Sequence, residues 1–351
     1  MINRGTWYAS IIVILSLGLT TIWSTVPELF WTQFIFVCLG LLLAFLLSRI
    51  DVRFLLSFST PLYILTIILL VATLIYGQNI RGASRWLVLG DIRLQSSELA
   101  KPFLALFFAN FISNHKLNKI KNIFLYFLLV FIPIYLVKIQ PDLGSALVLA
   151  VLGIAPLLYS DLPRKFFLIL PLIILLTLPF LPKLLHSYQL ERIQSFLDPY
   201  HDPKGSGYNV IQSVIAIGSG GIIGKGVRLG TQSHLNFLPE RHTDFIYASY
   251  SEEFGFLGQL IILTAYYVFL RGFISIANSL RSDKPLFYLT LGIFSIFLFQ
   301  VVINIGMNLG LMPVTGITLP LFSYGGSSIL ALGIILGLTQ GLLDLSPKIR
   351  I

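Results

Sequence analysis

The stretch from Thr231 to Gly258 gathers side chains that can carry chemistry in a chain that is otherwise mostly apolar. It contains four carboxylates, two histidines and an arginine: Glu240, Asp244, Glu252, Glu253, His234, His242 and Arg241. Ionisable groups in or beside a membrane segment are costly to retain and are usually functional, so we expect them to face a cavity of the protein. Snorkelling to the membrane surface is the alternative. Metal binding through the two histidines is a weaker interpretation, because no spacing characteristic of zinc ligands occurs.

The composition places the rest of the chain in a membrane. Of its 351 residues, 56% are hydrophobic and 11% are charged, and the mean hydropathy is +0.86. These values lie far outside the range of soluble globular proteins. Its apolar runs can cross about 30 Å of hydrocarbon as helices, because a helix satisfies its own backbone polar groups where water is absent. We therefore predict an all-α integral membrane protein.

About ten transmembrane helices are expected in a single polytopic domain that covers residues 1–351. The predicted spans are 7–24, 29–48, 54–76, 98–113, 122–138, 143–159, 166–182, 246–270, 285–308 and 322–343. The span at 98–113 is the weakest, because Glu98 and Lys101 near its start also fit a tilted or partly re-entrant helix. One large extracytoplasmic loop, about 183–245, separates helices 7 and 8, and its apolar residues predict an ordered structure.

Lysine and arginine accumulate in alternate loops, which predicts the orientation. Since positive residues favour the inner side, both termini are expected in the cytoplasm, with the chain in the cytoplasmic membrane. Two outer loops, 77–97 and 183–245, break the pattern, and their cations need an anionic partner. Membrane lipids and topology account for the remaining net charge of +9. Nucleic acid is not an expected partner.

The segment Gly218–Gly226, GSGGIIGKG, is superficially similar to a phosphate-binding loop. Ser219 occupies the position of the first glycine, Gly226 replaces the required Ser or Thr, and the predicted topology puts the segment on the side that lacks ATP. A flexible or closely packed backbone is the favoured interpretation. A lipid-linked phosphate near the segment stays possible.

Two other polar groups have open interpretations. Glu98 and Lys101, three residues apart on one helical face, can neutralise each other and make burial tolerable, or they can line a polar groove in which Lys101 meets a phosphate. Asp142 can be a helix cap as readily as a site residue. The single cysteine, Cys38, excludes a disulfide framework.

Four segments carry a resemblance to a known family. They are SHLNFLPERHTDFIYASYSEEFGFLG, RGASRWLVLGDIRLQSSELAK, QPDLGSA and MNLGLMPVTGITLPLFSYGGSS. These segments resemble signature regions of the SEDS family, the shape, elongation, division and sporulation proteins. They occur in the right order and span most of the chain. The stretch Gly230–Glu240 is more similar to the elongation branch of that family than to the division branch.

The resemblance implies a peptidoglycan glycosyltransferase that polymerises lipid II into β-1,4 glycan strands on the outer face of the cytoplasmic membrane, for cell elongation and rod shape. Undecaprenyl diphosphate would be the leaving group. A class B penicillin-binding protein would supply transpeptidation alongside other elongation-machinery proteins. No cofactor is certain, although a divalent cation such as Mg²⁺ could assist. A lipid II flippase, a division-branch polymerase and a non-catalytic scaffold are the alternatives.

The resemblance also implies that Asp244 is the catalytic carboxylate, whereas the substrate-binding candidates below follow from their side of the membrane and their spacing. A positioned carboxylate can take the proton of the attacking sugar hydroxyl, a contribution of roughly 10² to 10⁴ in rate. Cations can stabilise the departing diphosphate without an acid. The candidate substrate-binding residues are Arg81, Arg85, Glu98, Lys101, Asp142, Arg241, His242, Ser323, Tyr324, Ser327 and Ser328.

Overall fold

Helices make up most of the computed structural model, which describes residues 3–80, 83–90, 92–163, 165–166 and 187–346. The α-helices are α1 Arg4–Thr25, α2 Phe30–Ser48, α3 Val52–Ser57, α4 Ser59–Tyr76, α5 Ser96–Asn114, α6 Ile120–Ile139, α7 Leu143–Ile154, α8 Ser187–Leu197, α9 Tyr208–Ser219, α10 Thr231–His234, α11 Ile246–Ser279, α12 Lys284–Asn308 and α13 Gly326–Leu345. Short 3₁₀ turns, Pro27–Leu29 and Ala155–Tyr159, precede α2 and extend α7. The prediction of a mainly helical membrane protein is confirmed.

Seven of the described helices are long and apolar enough to cross a membrane: α1, α2 with its preceding turn, α4, α6, α11, α12 and α13. A shorter apolar helix runs through Leu143–Tyr159. The predicted span at 98–113 corresponds to α5, which is largely buried inside the bundle. The predicted span at 166–182 lies outside the described residues except for its first residue. The count of ten and the single-domain organisation therefore stay predictions.

A small antiparallel sheet occupies residues 78–95, where the sequence predicted only an outer loop. Its strands are β1 Gln78–Ile80, β2 Ala83–Leu89 and β3 Ile92–Gln95, in the order β1-β2-β3. The β2–β3 register pairs Trp86 with Gln95 and Leu89 with Ile92. These strands are only a few residues long, so their alternation of apolar and polar residues is a weak signal. Because β3 runs directly into α5, the sheet positions the start of that buried helix.

Small residues allow α13 to pack closely along α2. A Cβ on Gly333 would lie 2.4 Å from the carbonyl oxygen of Gly40, and one on Gly337 would lie 2.9 Å from that of Ala44. Stripes of small residues bring membrane helices together in this way, since backbones must approach for van der Waals contact to form. At the start of α13, the Gln33 side chain of α2 accepts a hydrogen bond from the Gly325 N–H at 3.1 Å. The α2–α13 pair therefore holds the turn that precedes α13.

Helix α11 is broken at Gly255, whose φ of 64° and ψ of −162° are not helical. The break leaves two carbonyls and two N–H groups without their partners one turn away. The segment Gly218–Gly226, here called the glycine loop, supplies those partners. The N–H groups of Lys225 and Gly226 donate to the carbonyls of Glu252 and Glu253 at 3.0 and 2.9 Å. The N–H groups of Phe256 and Leu257 donate to the carbonyls of Gly221 and Ile222 at 2.9 and 3.0 Å.

The glycine loop is thus a closely packed backbone element, as the sequence favoured. A Cβ on Gly224 would lie 2.1 Å from the Glu253 carbonyl oxygen, and one on Gly220 would lie 2.2 Å from that of Ser251. Only glycine fits at such distances. Gly220 and Gly224 serve the contact with α11, and the P-loop interpretation finds no support in their geometry.

Replacing Gly255 with alanine is expected to lower the thermal unfolding temperature of the purified protein. The new Cβ would lie 2.2 Å from the Gly224 nitrogen, and the positive φ adds strain of about 1–3 kcal/mol. Gly218→Ala is the matched control, because a Cβ there meets no atom within 4 Å. Thermal unfolding in detergent would compare the variants. Equal unfolding temperatures for Gly255→Ala and Gly218→Ala would contradict the proposed close packing.

Candidate active site

Two asparagines of α12 hold the main chain of Asp244 by hydrogen bonds. Asn304 and Asn308 donate from their Nδ2 atoms to the Asp244 carbonyl oxygen at 3.1 and 3.0 Å. Asn308 also accepts a hydrogen bond from the Ala248 N–H in the first turn of α11, at 3.1 Å. Both asparagine side chains are fully buried. Asp244 itself is half-buried, just before α11 begins. Its backbone position is therefore fixed although it lies in a turn.

The two residues before Asp244 are fastened to the turn that precedes α13. Ser323 donates from its Oγ to the Thr243 carbonyl oxygen at 2.7 Å, and the Tyr324 N–H donates to the His242 carbonyl oxygen at 2.9 Å. The His242 and Tyr324 rings meet edge to face, with centroids 5.5 Å apart. Burial raises the pKa of the Tyr324 hydroxyl, while Arg93 acts in the opposite direction. The hydroxyl is consequently a neutral donor at physiological pH.

The Asp244 carboxylate lies close to the backbone of Gly316, which has no side chain to separate the two. A Cβ on Gly316 would lie 3.7 Å from Asp244 Oδ2 and 4.0 Å from Arg192 Nη1, and its φ of +74° favours glycine. Arg192, on α8, donates to the carbonyl oxygen of Val314 at 3.1 Å. A carboxylate and a guanidinium thus approach the same uncovered glycine, in a position where a polar ligand could contact both.

Arg241 ties the same segment to the end of α1. Its Nη1 donates to Asn236 Oδ1, and its Nε donates to the Thr25 carbonyl oxygen at 3.4 Å. Partial burial lowers the pKa of the Arg241 guanidinium, but an arginine in such a position stays charged at neutral pH. Its charge remains available at the edge of the site.

Glu252 and Glu253 do not face a polar cavity, so that sequence-based expectation is wrong. The Glu252 carboxylate is buried and accepts hydrogen bonds from Lys225, Thr231, Gln232 and Ser233, with Lys225 Nζ at 2.8 Å. Glu253 accepts from Ser24, from the Arg228 N–H at 3.2 Å and from His234 Nε2 at 3.1 Å. Both carboxylates hold the loop that follows the glycine loop against α1 and α11.

A second polar group lies where β2, α5 and α7 meet. Asp142 caps α7, accepting from the Ser145 N–H at 3.1 Å, and it also accepts from Gln95 and Ser97 at 3.0 and 3.3 Å. Arg85 Nη1 lies 3.9 Å from Asp142 Oδ1. The capping role of Asp142, one of two open interpretations, is therefore present together with a charged contact.

Glu98 and Lys101 form an ion pair one turn into α5. Lys101 Nζ lies 2.6 Å from Glu98 Oε2, and both side chains are buried. The prediction that the two residues can neutralise each other is confirmed. Whether the pair also lines a substrate groove stays a prediction. Because Ser97 of α5 contacts Asp142, the pair lies along the same helix as the second polar group.

The two polar groups are linked through the segment that leads to Gly316. A Cβ on Gly144, in the first turn of α7, would lie 2.7 Å from the Thr315 carbonyl oxygen. Thr315 Oγ1 and Arg85 Nε are buried and find no hydrogen-bond partner within the part of the chain that the structure describes. Buried polar atoms are normally satisfied, so such exceptions mark places where a ligand or water can bind.

The remaining predicted residues have different surroundings. Ser327 donates to the Arg93 carbonyl oxygen at 2.9 Å and accepts from the Gln95 N–H at 3.0 Å, so it joins α13 to β3. Ser328 lies half-buried in the first turn of α13. Arg81 lies outside the described residues. Ser323 and Tyr324 thus bond to the backbone just before Asp244, where Arg241 and His242 lie next to it in the chain. Arg85 lies near Asp142, whereas Glu98 and Lys101 are placed only on α5, the helix whose Ser97 contacts Asp142.

Sequence reasoning missed four residues that shape the site: Gln33, Arg192, Asn304 and Asn308. Asn304 and Asn308 are four residues apart in an otherwise apolar helix, which was a usable signal, because polar side chains in a membrane span usually bond across helices. Arg192 was recognised only as a cation of the large loop. Nothing in the local pattern marked Gln33, whose partners are about 290 residues away in the chain.

The whole chain is similar to proteins that are already known. The chain is 41% identical over 302 residues to the peptidoglycan glycosyltransferase MrdB of Escherichia coli (strain K12), which covers 84% of this chain and 80% of that protein. One chain of a solved structure, described as "Structural coordination of polymerization and crosslinking by a peptidoglycan synthase complex", has a TM-score of 0.84 with this chain. The two chains are 36% identical, and the comparison covers 99% of each. The rod shape determining protein RodA of Thermus thermophilus gives a TM-score of 0.74 at 31% identity, covering 99% of this chain and 98% of that one.

The family comparison extends over nearly the whole chain. Residues 5–344 match the family described as cell cycle protein, which groups FtsW, RodA and SpoVE. This range includes both polar groups and every described helix apart from the ends of α1 and α13. The chain therefore belongs to the FtsW, RodA and SpoVE family of cell cycle proteins, which confirms the resemblance carried by its sequence segments.

Proposed function

We propose that this protein is a peptidoglycan glycosyltransferase that polymerises lipid II into β-1,4 glycan strands, with Asp244 as the catalytic base. The observation that carries the proposal is the fixed main chain of Asp244 beside Gly316. The hydrogen bonds from Asn304, Asn308, Ser323 and Tyr324, here called the clamps, hold the backbone carbonyls of Asp244 and of its two preceding residues. A general base must reach the proton it removes, and a fixed backbone keeps a carboxylate in that position.

The reaction joins two lipid-linked sugars by a direct displacement. The 4-hydroxyl of the acceptor attacks the anomeric carbon of the donor, Asp244 takes the hydroxyl proton, and the bond to the diphosphate breaks with its electron pair on the oxygen. Inversion from an α-linked donor to a β-linked product fits this single step. The departing undecaprenyl diphosphate is stabilised by positive charge and needs no proton.

Arginines near the two polar groups are the proposed partners of that diphosphate. Arg192 Nη1 lies about as close to Gly316 as the Asp244 carboxylate does, and Arg85 has a buried Nε without a partner in the described ranges. The planar guanidinium suits phosphate oxygens because it can donate two parallel hydrogen bonds. Arg81 and Arg241 complete the proposed set, and Lys101 would first have to leave the Glu98 carboxylate.

A divalent cation such as Mg²⁺ would depend on the substrate for most of its ligands. Within the described parts of the chain, no three His, Cys, Asp or Glu side chains converge as a metal-binding group. Mg²⁺ is commonly held by one or two carboxylates together with substrate phosphates, so a diphosphate could supply the remaining oxygens.

The proposed location is the cytoplasmic membrane, with both termini in the cytoplasm and the site on the extracytoplasmic face. Two ion pairs support the prediction that the cytoplasmic segments lie on one side of the membrane. Arg4 lies 2.9 Å from Asp344, which brings the start of α1 to the end of α13, and Arg53 lies 2.9 Å from Asp283. A class B penicillin-binding protein and other elongation-machinery proteins are the proposed partners, since the chain resembles a subunit of a peptidoglycan synthase complex.

Purified protein incubated with fluorescent lipid II should produce a ladder of glycan strands on a gel. Sealed vesicles that carry the same lipid separate the alternatives: quenching of the dye from the opposite side without a ladder would indicate a flippase, and neither signal would indicate a scaffold. Repeating the assay with a chelator tests the cation. If Mg²⁺ bridges the diphosphate, we expect chelation to slow ladder formation and added Mg²⁺ to restore it.

A further inference from the structure

The glycine loop lies at membrane depth, although it is not helical beyond Ser219. Two of its carbonyls bond to the N–H groups of Phe256 and Leu257, whose side chains are 60% and 50% exposed on the membrane-spanning helix α11. Large apolar side chains exposed on such a helix face lipid. Non-helical backbone is tolerated in hydrocarbon only where its polar groups are satisfied, and the four hydrogen bonds to α11 provide this.

The tip of the loop exposes apolar side chains beside that lipid-facing surface. Ile222 and Ile223 are 71% and 79% exposed, and Leu229 just beyond the loop is 65% exposed. Adjacent isoleucines this exposed would be unfavourable in water, since burying one typically stabilises by about 1.5–3 kcal/mol. An acyl environment removes that cost without any protein partner.

A cation is held next to the tip by contacts with α1. Arg228 is exposed, and its guanidinium carbon lies 4.0 Å from the centroid of the Trp23 ring. The backbone N–H of Arg228 donates to Ser24 Oγ at 2.9 Å and to the buried Glu253 carboxylate at 3.2 Å. These two bonds fix the backbone from which the Arg228 side chain extends. Trp23, near the end of the membrane-spanning α1, has the position of an interfacial aromatic.

The charge of Arg228 is not neutralised by a carboxylate in the part of the chain that the structure describes. Lys225, the other cation of this region, is already paired with Glu252 at 2.8 Å. We infer that this surface is a binding site for an anionic phospholipid: Ile222 and Ile223 enter the acyl region, and Arg228, stacked on Trp23, binds the headgroup phosphate.

A bilayer phospholipid fits this surface better than a protein does. The apolar residues continue directly into the lipid-facing side of α11, so the same acyl layer covers both. A guanidinium at the level of an interfacial tryptophan meets headgroup phosphates in any anionic leaflet. The site is separate in its residues from the proposed catalytic machinery, and its occupant does not depend on the polymerase reaction.

The first experiment measures how deeply the tip of the glycine loop enters the bilayer, in the full-length protein. Cys38 is exposed, so Ile223→Cys is made in a Cys38→Ser background, labelled with bimane and reconstituted in nanodiscs of phosphatidylcholine brominated along its acyl chains. Ser206→Cys, exposed in the large loop, is the matched control. The probe at 223 should be quenched several-fold more than the probe at 206. Equal, weak quenching at both positions would overturn the insertion.

The second experiment measures the headgroup preference by native mass spectrometry of delipidated protein titrated with phosphatidylglycerol or phosphatidylcholine. Arg228→Gln should lower the preference for phosphatidylglycerol about fivefold, the effect expected for one cation near an anionic surface. Arg228→Lys should keep most of the preference and guards against a folding defect, and Lys204→Gln should leave it unchanged. An unaltered preference in Arg228→Gln would contradict the assignment of Arg228 to the headgroup phosphate.

Loss of lipid II polymerisation in that variant in phosphatidylcholine nanodiscs would instead indicate a substrate contact and overturn the choice of a phospholipid.

Discussion

Glycan polymerisation is expected to disappear when Asp244 is replaced by asparagine, while lipid II binding is largely retained. The amide has the size of the carboxylate but cannot take a proton, and a general base contributes roughly 10² to 10⁴ in rate. The clamps of Asn304 and Asn308 act on the main-chain carbonyl of this residue, so the substitution leaves them intact. Glycan ladders on a gel measure the activity, and the fluorescence anisotropy of labelled lipid II measures binding.

Asp198→Asn serves as the matched control for that experiment. Asp198 lies in the same large loop and accepts a hydrogen bond from the Tyr200 N–H at 3.1 Å, away from the Asp244 turn in sequence. This variant should form ladders at the wild-type rate. Full activity of Asp244→Asn would refute the assignment of the base, whereas loss of both activity and lipid II binding would point to a substrate-binding role.

The second large effect is expected from Asn308→Leu. The substitution removes one of the two side-chain donors to the Asp244 carbonyl and the side-chain acceptor of the Ala248 N–H, so the side chain that joins the Asp244 turn to the first turn of α11 is lost. A displacement of a reacting group by about 1 Å can lower a rate about 10²-fold, and we expect a loss of that size in kcat with a smaller change in KM. The loss of these hydrogen bonds also lowers the stability, by about 0.5–1.5 kcal/mol for each bond.

Thr290→Val separates the two consequences. Thr290 is buried in the same helix, but its hydroxyl donates only to the Leu286 carbonyl of its own helix, at 2.7 Å. Its loss should leave both the polymerisation rate and the unfolding temperature close to wild type. A wild-type rate in Asn308→Leu, measured at a temperature where the variant is folded, would show that the asparagine clamp does not position Asp244.

Much of the helical framework was predictable because helix formation in a membrane is a local property. Nine of the ten predicted spans correspond to described helices. Length and hydropathy suffice for this, since a helix closes its hydrogen bonds within its own turns. The small sheet at Gln78–Gln95 was not predicted, because its pairing joins short strands whose alternation is too brief to be distinguished from a loop.

The candidate site was predictable only in part. The turn containing Asp244 was singled out because carboxylates beside a membrane segment are costly, and Asp142 was expected near a helix start. The same reasoning misassigned Glu252 and Glu253, since a buried carboxylate can be satisfied either by a ligand or by the protein itself. Here, Glu252 is satisfied by backbone and side-chain donors from a loop about 20 residues earlier in the chain.

The sequence by itself therefore determined the membrane setting, the helical class and the family, and it singled out Asp244 as a candidate base, because composition, apolar length and motif order are all properties of the chain read locally. Only the tertiary structure decided that the glycine loop completes the broken helix α11, that two carboxylates are structural, and that Asn304 and Asn308 hold Asp244. Each of these depends on hydrogen bonds between segments far apart in the chain, and such partners are chosen by how the helices pack together rather than by any local pattern.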